Sequence, residues 1–260
     1  MALPTLSTSP PQPPSSSMKS SAKENKRPGL QHCNPSGKEA RAALKKLLVV
    51  YVDNHILVVF KRSGIATQSA PGRQDGLEEE AKRWIKKAFD KRGAVFLHPI
   101  HRLDKEVSGL VLFARSSKAL SRLQQMLRER KISRTYLALV EGEPKEKEGE
   151  LKHFLIHGSH RALLAASGAK GAKPSLLFYR ILEKPGRESL LEVRLVTGRY
   201  HQIRAQLSAW GHPVVGDRKY GSKMPWQKGG IALVHAKLEF IHPVTKANLS
   251  FTVSWKEAFF

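Results

Sequence analysis

The sequence predicts an α+β fold built on a mostly antiparallel, mixed β-sheet flanked by helices. Strand-like runs outnumber helix-like ones, most connections between them are of hairpin length, and 40% hydrophobic residues in 260 provide for a substantial core. Leu47–Val52 and His55–Lys61 are short apolar runs around Asp53-Asn54, the pattern of a hairpin. Asp75 and Glu78 have the spacing of a capping box, and Leu77, Ala81, Trp84, Ile85 and Ala88 then recur at helical spacing. Leu110–Ala114 is continuously apolar, as in a strand buried on both faces. Ser117 is placed to cap a helix with one stripe of Leu120, Leu123 and Leu127 and another of Arg122, Arg128 and Arg130. Further strands are expected at Thr135–Val140, Glu150–His157, Leu176–Leu182, Leu190–Val196, Ala232–Phe240 and Leu249–Val253. Between them His201–Trp210 has a helical pattern, with Ile203, Leu207 and Trp210 inward.

Charge narrows the partner. Lys and Arg number 45 against 22 Asp and Glu, a net charge of +23. Such an excess suits a polyanion; nucleic acid and an acidic membrane surface both qualify, with nucleic acid the better match. No apolar run approaches the roughly 20 residues that span a bilayer. Cys33 is the single cysteine, which excludes a disulfide framework and a cysteine-based metal site and favours a reducing compartment. Residues 1–46 hold seven of the 15 prolines, many serines, and eight Lys or Arg against two Glu. They read as a disordered basic tail, and 47–260 as one catalytic domain. Without the tail, 37 basic and 20 acidic residues remain, so the positive excess belongs to the folded part as well. The cytoplasm is the expected compartment and a monomer the default. The Ser-rich, acid-poor start also resembles an organellar transit peptide, and Met18 is an alternative start.

Three segments carry chemistry. His101-Arg102-Leu103-Asp104-Lys105-Glu106-Val107-Ser108-Gly109 is a polar cluster emptying into the buried strand. On residue types alone the plainer reading is that Asp104 caps a turn and His101 packs in the core. Lys131–Val140 is a basic turn feeding a strand, in which Tyr136 is either core or a flat face for a base. Thr197–Arg204, continuing through Gly211-His212-Pro213 and Gly216-Asp217, gathers Arg199, His201, Gln202 and Arg204 at a helix start, a favourable place for phosphate. Arg204 follows Ile203 by about 100° around the helix, beside the buried seam, where an anionic partner is expected.

Together these blocks resemble the RluA-type family of RNA pseudouridine synthases, in order and approximate spacing, from about Leu47 to the C-terminus. The resemblance implies that family's fold, with the active-site cleft in the middle of the sheet. It implies Asp104 as catalytic aspartate, Tyr136 as active-site tyrosine, and Arg204 as the arginine paired with the aspartate. Arg102 matches a residue that helps push the target uridine from the stack. His101, Leu103, Arg199, His201 and Gln202 are further candidates for holding substrate. Val107 stands where Thr is usual, Arg62 replaces the proline of the common Lys-Pro-Ser-Gly turn, and Tyr200 replaces a small hydroxyl residue. None of these removes a group that the reaction needs. Residues 1–46 are too short and too polar for the S4 module that some members carry.

The implied reaction breaks the N1–C1′ bond of uridine, turns the base and rejoins it through C5, a rearrangement that requires no cofactor or metal. The carboxylate acts by attacking C1′ or by removing a sugar proton, and either way must be ionised. Arg204 is expected to lower its pKa against desolvation. Ribosomal RNA of the large subunit is the first expected substrate and transfer RNA the second. A kinase is excluded because the chain has no Gly-rich nucleotide loop and no Asp-Phe-Gly, and a zinc deaminase because Pro-Cys-x-x-Cys is absent. His157 and His160 are read as surface histidines. The remaining alternative is an RNA-binding assembly factor on the same fold, which would have no need of Asp104, Tyr136 and Arg204 together. If the tail adds RNA affinity, deleting residues 1–45 flattens the slope of log affinity against log salt. An unchanged slope would refute that role.

Overall fold

A hairpin that turns at Asp53 is the first element of the described residues. The computed structural model describes residues 47–70, 72 and 75–254, so the expected basic tail at 1–46 lies outside the described residues. Strands β1 (Leu48–Val52) and β2 (Ile56–Lys61) pair antiparallel, and Asp53 Oδ1 accepts the backbone N–H groups of His55 and Ile56 at 2.7 and 2.8 Å. The carboxylate thus satisfies donors that the turn would leave open.

Helix α1 (Leu77–Ala88), the short β3 (His98–Pro99) and β4 (Ser108–Ala114) follow, then helix α2 (Ser117–Arg128). Alternate residues of β4 go to opposite faces. Val111 and Phe113 join Leu77, Ala81 and Ile85 of α1 in one core, whereas Leu110, Leu112 and Ala114 join Ala119 and Leu123 of α2 in another. Covering both faces with helices is why this strand is apolar at every position. Two helix starts differ from expectation. Gly76, not Asp75, is the N-cap of α1, and no side chain caps it. The first N–H groups bond instead to the carbonyls of Ala66 and Thr67, and Gly76 N–H to Ser69 Oγ, so the adjacent loop does the work of a capping box. Ser116 rather than Ser117 caps α2, accepting from Ala119 N–H at 3.2 Å.

The second half adds β5 (Ser133–Glu141), β6 (Glu148–His157), β7 (Ala162–Ala165), β8 (Lys173–Glu183) and β9 (Glu188–Leu195). Helix α3 (Gln202–Ala209), a 3₁₀ turn (Arg218–Tyr220), β10 (Leu233–Ile241) and β11 (Asn248–Thr252) complete it. The expected strands lie within three residues of these bounds; β3, β7 and the 3₁₀ turn are too short to show a period. All eleven strands form one sheet in the order β1-β2-β4-β10-β5-β9-β8-β6-β7, with β3 on β4 and β11 on β10. Among the described residues no helix is long and apolar enough to cross a membrane.

The two halves meet where β4 lies parallel to the start of β10, through Val234–Ser108 and His235–Gly109. Gly109 has φ +124°, and a Cβ there would stand 2.5 Å from both the backbone N and O of His235. Only glycine permits this conformation and approach. Along its other edge β10 pairs with β5, with a bulge between His235 and Lys237 immediately beside the Tyr136–His235 pair. Gly109→Ala is expected to lower unfolding free energy by at least about 1–3 kcal/mol, read from urea denaturation, because the methyl forces the seam apart.

Candidate active site

The loop that carries Asp104 runs into β4 at this seam, held from both sides. Thr67 Oγ1 accepts Leu103 N–H at 3.0 Å and donates to Leu103 O at 2.9 Å. Lys61, wholly buried, donates to the carbonyls of Arg62, Ile65 and Lys105 at 3.1, 2.7 and 3.2 Å. Burial pulls its pKa down to about 8, against the opposing pull of Asp104 and Glu106. Ser63 Oγ donates to Glu106 O at 2.8 Å, and Gly64 N–H to Lys105 O at 2.8 Å. The Lys61–Gly64 turn is therefore a clamp on the backbone just after the acid, and it closes with Arg62 in place of proline.

Arg204 rises from α3 and is 2% exposed. Its Nε and Nη2 donate to Oδ2 and Oδ1 of Asp217 at 2.6 and 2.9 Å, a two-point pair with a carboxylate that is itself 1% exposed. Nη1 remains for Asp104, donating to Oδ2 at 3.0 Å. Burial alone would lower the pKa of Arg204, but Asp217 and Asp104 outweigh it and keep the guanidinium charged. Its carbon also lies 5.1 Å from the centre of the Tyr220 ring.

His201 completes the cluster. It stands at φ +49°, in the left-handed region, as N-cap of α3, with Nδ1 3.0 Å from Tyr220 Oη and Nε2 3.1 Å from Arg204 Nη1. Burial lowers its pKa to about 4, so the ring is neutral at pH 7. Facing an arginine N–H, Nε2 must accept, which leaves Nδ1 to donate to the tyrosine. Both Arg204 and His201 meet Asp104 at Oδ2, the histidine at 3.4 Å; Oδ1 receives neither.

Asp104 is expected from the sequence to have a lowered pKa, and here the structure differs. Burial raises it above the usual 3.8, and Arg204, the largest opposing influence, does not fully offset that. Burial is the largest influence, and the neighbouring Glu106 carboxylate adds to it against the pull of Arg204 and Lys61. By linkage, a carboxyl whose pKa rises on folding costs stability once pH climbs above its unfolded value. The ionised acid is therefore a strained group held in place by the fold.

Tyr136 is 5% exposed and its phenol is pushed up to about 12, chiefly by burial. The ring of His235, its cross-strand partner, stacks on it at 4.7 Å and 23°. His235 Nδ1 donates to Leu110 O at 2.6 Å. His101 meets His235 edge-on at 5.1 Å, and its Nε2 accepts Leu112 N–H at 3.3 Å. Burial holds the pKa of His235 at about 4 and that of His101 well below 6.5, so both are neutral packing rings.

Asp104 and Tyr136 line one pocket of about 90 Å3, with Arg134, Leu195 and Ile203. It adjoins a cleft of about 650 Å3 whose lining includes Arg102, Arg134, Arg199 and Lys219. Of the expected substrate contacts, Arg102 and Arg199 are exposed on this rim. Leu103 and His101 are buried and brace the loop. Gln202 is spent internally: its Oε1 accepts Thr197 Oγ1 and Arg199 N–H, and its Nε2 donates to Leu176 O. Asp217, Lys61 and Arg134 lie in segments that the sequence singles out, but it gives them no role, and His235 is expected only as part of a strand. An acid directly after Val214-Val215-Gly216 and a histidine inside Leu233-Val234-His235-Ala236 were the available signals. Among the described residues no group of three His, Cys, Asp or Glu side chains is arranged to hold a metal.

A recessed carboxylate under a rim of arginines, on a large mixed sheet, defines an enzyme that works on a polyanion. Residues 55–209 match the family model described as RNA pseudouridylate synthase. The dual-specificity RNA pseudouridine synthase RluA of Pasteurella multocida is 34% identical over 206 residues, 78% of this chain and 91% of that enzyme. The ribosomal large subunit pseudouridine synthase C of Vibrio vulnificus is 32% identical over 218 residues, 82% of this chain and 67% of that enzyme. The solved structure of human RNA pseudouridylate synthase domain containing 1 superposes with a TM-score of 0.63 at 25% identity, covering 80% of this chain and 83% of that one. The chain belongs to the RluA-type family of RNA pseudouridine synthases, isomerases that act on RNA.

Two substitutions separate the buried Arg204–Asp217 pair from Asp104. Asp217→Asn is expected to cost about 3–5 kcal/mol, since it leaves a buried guanidinium short of charge. Asp104→Asn is expected to leave thermal stability at neutral pH equal or higher, which calorimetry on both variants would check.

Proposed function

We propose that the chain converts uridines of large-subunit ribosomal RNA to pseudouridine, with Asp104 acting at the sugar. The observation that carries this reading is the division of Arg204 between two carboxylates. Asp217 fixes the guanidinium, and the remaining nitrogen, Nη1, orients Asp104 through Oδ2. A purely binding protein has no need to hold a desolvated acid in this way.

The target nucleotide has to leave its stack, at a cost of about a few kcal/mol, before its sugar reaches Asp104. Arg102, Arg134 and Arg199 on the cleft offer phosphate contacts that offset this cost, and such contacts make affinity fall steeply with salt. The ionised carboxylate then attacks C1′ or removes a sugar proton, the N1–C1′ bond breaks, and the free uracil turns. Tyr136, backed by His235, retains the base so that C5 rather than N1 rejoins C1′. The C5 proton departs and N1 gains one, so the product is an isomer of the substrate. Holding the fragments together converts a two-body recombination into a local one. A second RNA class stands beside ribosomal RNA, with transfer RNA as the candidate, because the Pasteurella relative is by its name dual-specific.

Asp104→Asn should abolish pseudouridine formation, mapped by carbodiimide primer extension on RNA from a strain lacking the gene, while RNA binding persists. Full activity in that variant would remove Asp104 from the mechanism. Because the active form is ionised and burial raises its pKa, kcat/KM should fall as pH drops, at a pH above the ordinary 3.8. Replacing Arg204 with the uncharged Gln takes away a lowering influence and should move that acid limb higher still; a shift to lower pH would contradict the pairing.

A further inference from the structure

At the mouth of the cleft three rings form a column. Tyr200 lies on His201 with centroids 3.8 Å apart at 21°, and on His157 with centroids 4.1 Å apart at 29°. Exposure rises along it, from 8% at His201 to 37% at Tyr200 and an open His157. The column therefore runs from the Asp104–Arg204 cluster to solvent. Its members come from separate elements: His157 ends β6, whereas Tyr200 and His201 form the turn into α3. The left-handed conformation of His201 turns the chain sharply, so that two consecutive side chains lie nearly face to face. Strained backbone of this kind persists only where the surroundings enforce it, and it gathers at functional sites.

Packing does not account for the outer part. Tyr200 is among the large hydrophobic side chains left exposed, and His157 beyond it is itself exposed. The column has cavities on two sides. His157 and Tyr200 border the 650 Å3 cleft over Asp104, and they also border a 200 Å3 depression lined by Lys173 and Arg199. Stacked flat rings flanked by cations are the arrangement that receives single-stranded nucleic acid, with rings taking bases and cations taking phosphates.

We propose that the His157–Tyr200–His201 column is a stacking site for the nucleobase next to the target uridine. This rests on the RNA reading above, and adds to it a second point of recognition outside the reaction pocket. The neighbouring base prolongs the column at its outer end or takes the place of His157 against Tyr200, while Arg199 and Lys173 meet the connecting phosphates.

The test uses full-length protein and a 12-nucleotide oligocytidine RNA holding one uridine. 2-Aminopurine, whose fluorescence is quenched by stacking, is placed on the 5′ or the 3′ side of that uridine. The binding protein is the Asp104→Asn variant, so the RNA is not consumed. Quenching is expected for one placement and not the other. Tyr200→Thr should abolish it and weaken binding roughly 5- to 150-fold, the loss of one base–aromatic stack. Tyr200→Phe should retain both, and His157→Ala, at an exposed position, should reduce the quench without lowering the melting temperature. Absence of quenching at both placements, or a quench and an affinity within twofold of the parent in Tyr200→Thr, would overturn the proposal. Failure of the wild-type protein to form pseudouridine in any RNA would instead overturn the functional reading, since the fluorescence experiment involves no turnover.

Discussion

One guanidinium organises this molecule. Geometry gives two of the three nitrogens of Arg204 to Asp217, and the third, Nη1, faces Asp104 at 3.0 Å with Glu106 farther off at 3.7 Å. The two-point pair is buried and fixes the arginine firmly. Asp104 receives a directional hydrogen bond and the largest lowering influence on its pKa from this arginine, yet burial, with Glu106 beside it, prevails. Without Asp217 the orientation of the guanidinium would be less certain. Arginine suits this role because its fork is planar and its charge persistent; a lysine ammonium would supply one point of attachment for both acids.

The environment of the acid follows the same economy. His201, His235 and His101 are all held neutral by burial, so none of them competes with Arg204 for the carboxylate. Lys61 approaches from the other side and is taken up by main-chain carbonyls. It secures the loop rather than pairing with the acid. Not every polar atom around the acid is satisfied, since His101 Nδ1, His235 Nε2 and Arg134 Nε are buried without a hydrogen-bond partner among the described residues, and such arrangements characterise sites where function takes precedence over stability.

Much of this could be read from the sequence. The continuous apolar run of β4 signalled burial on both faces, and the position of Arg204 beside Ile203 signalled a buried acid as its partner. Asp104, Tyr136 and Arg204 do converge, from segments far apart in the chain. What escaped was relational. Asp217 lies in a loop without periodicity, and only three-dimensional closure brings it to Arg204. His235 looked like an ordinary strand residue because its stacking depends on the register between β10 and β5. The capping box at Asp75 failed because a loop distant from any local pattern already supplied the acceptors. The lowering influence of Arg204 on Asp104 is present as expected, but the depth of burial, which three-dimensional closure sets, outweighs it.

The seam at Gly109 has a consequence for how the enzyme comes into being. The acid and its guanidinium are separated by 100 residues of chain, and the bond from His235 to Leu110 by 125. Contacts of such long sequence separation carry a high loop-closure cost and belong to slow-folding topologies. No nascent fragment that stops short of α3 contains both charges, and none that stops short of β10 contains the backing for Tyr136. Catalytic competence is therefore a property of the whole sheet, acquired only once β10 has been made, and cannot be divided between separately folding halves.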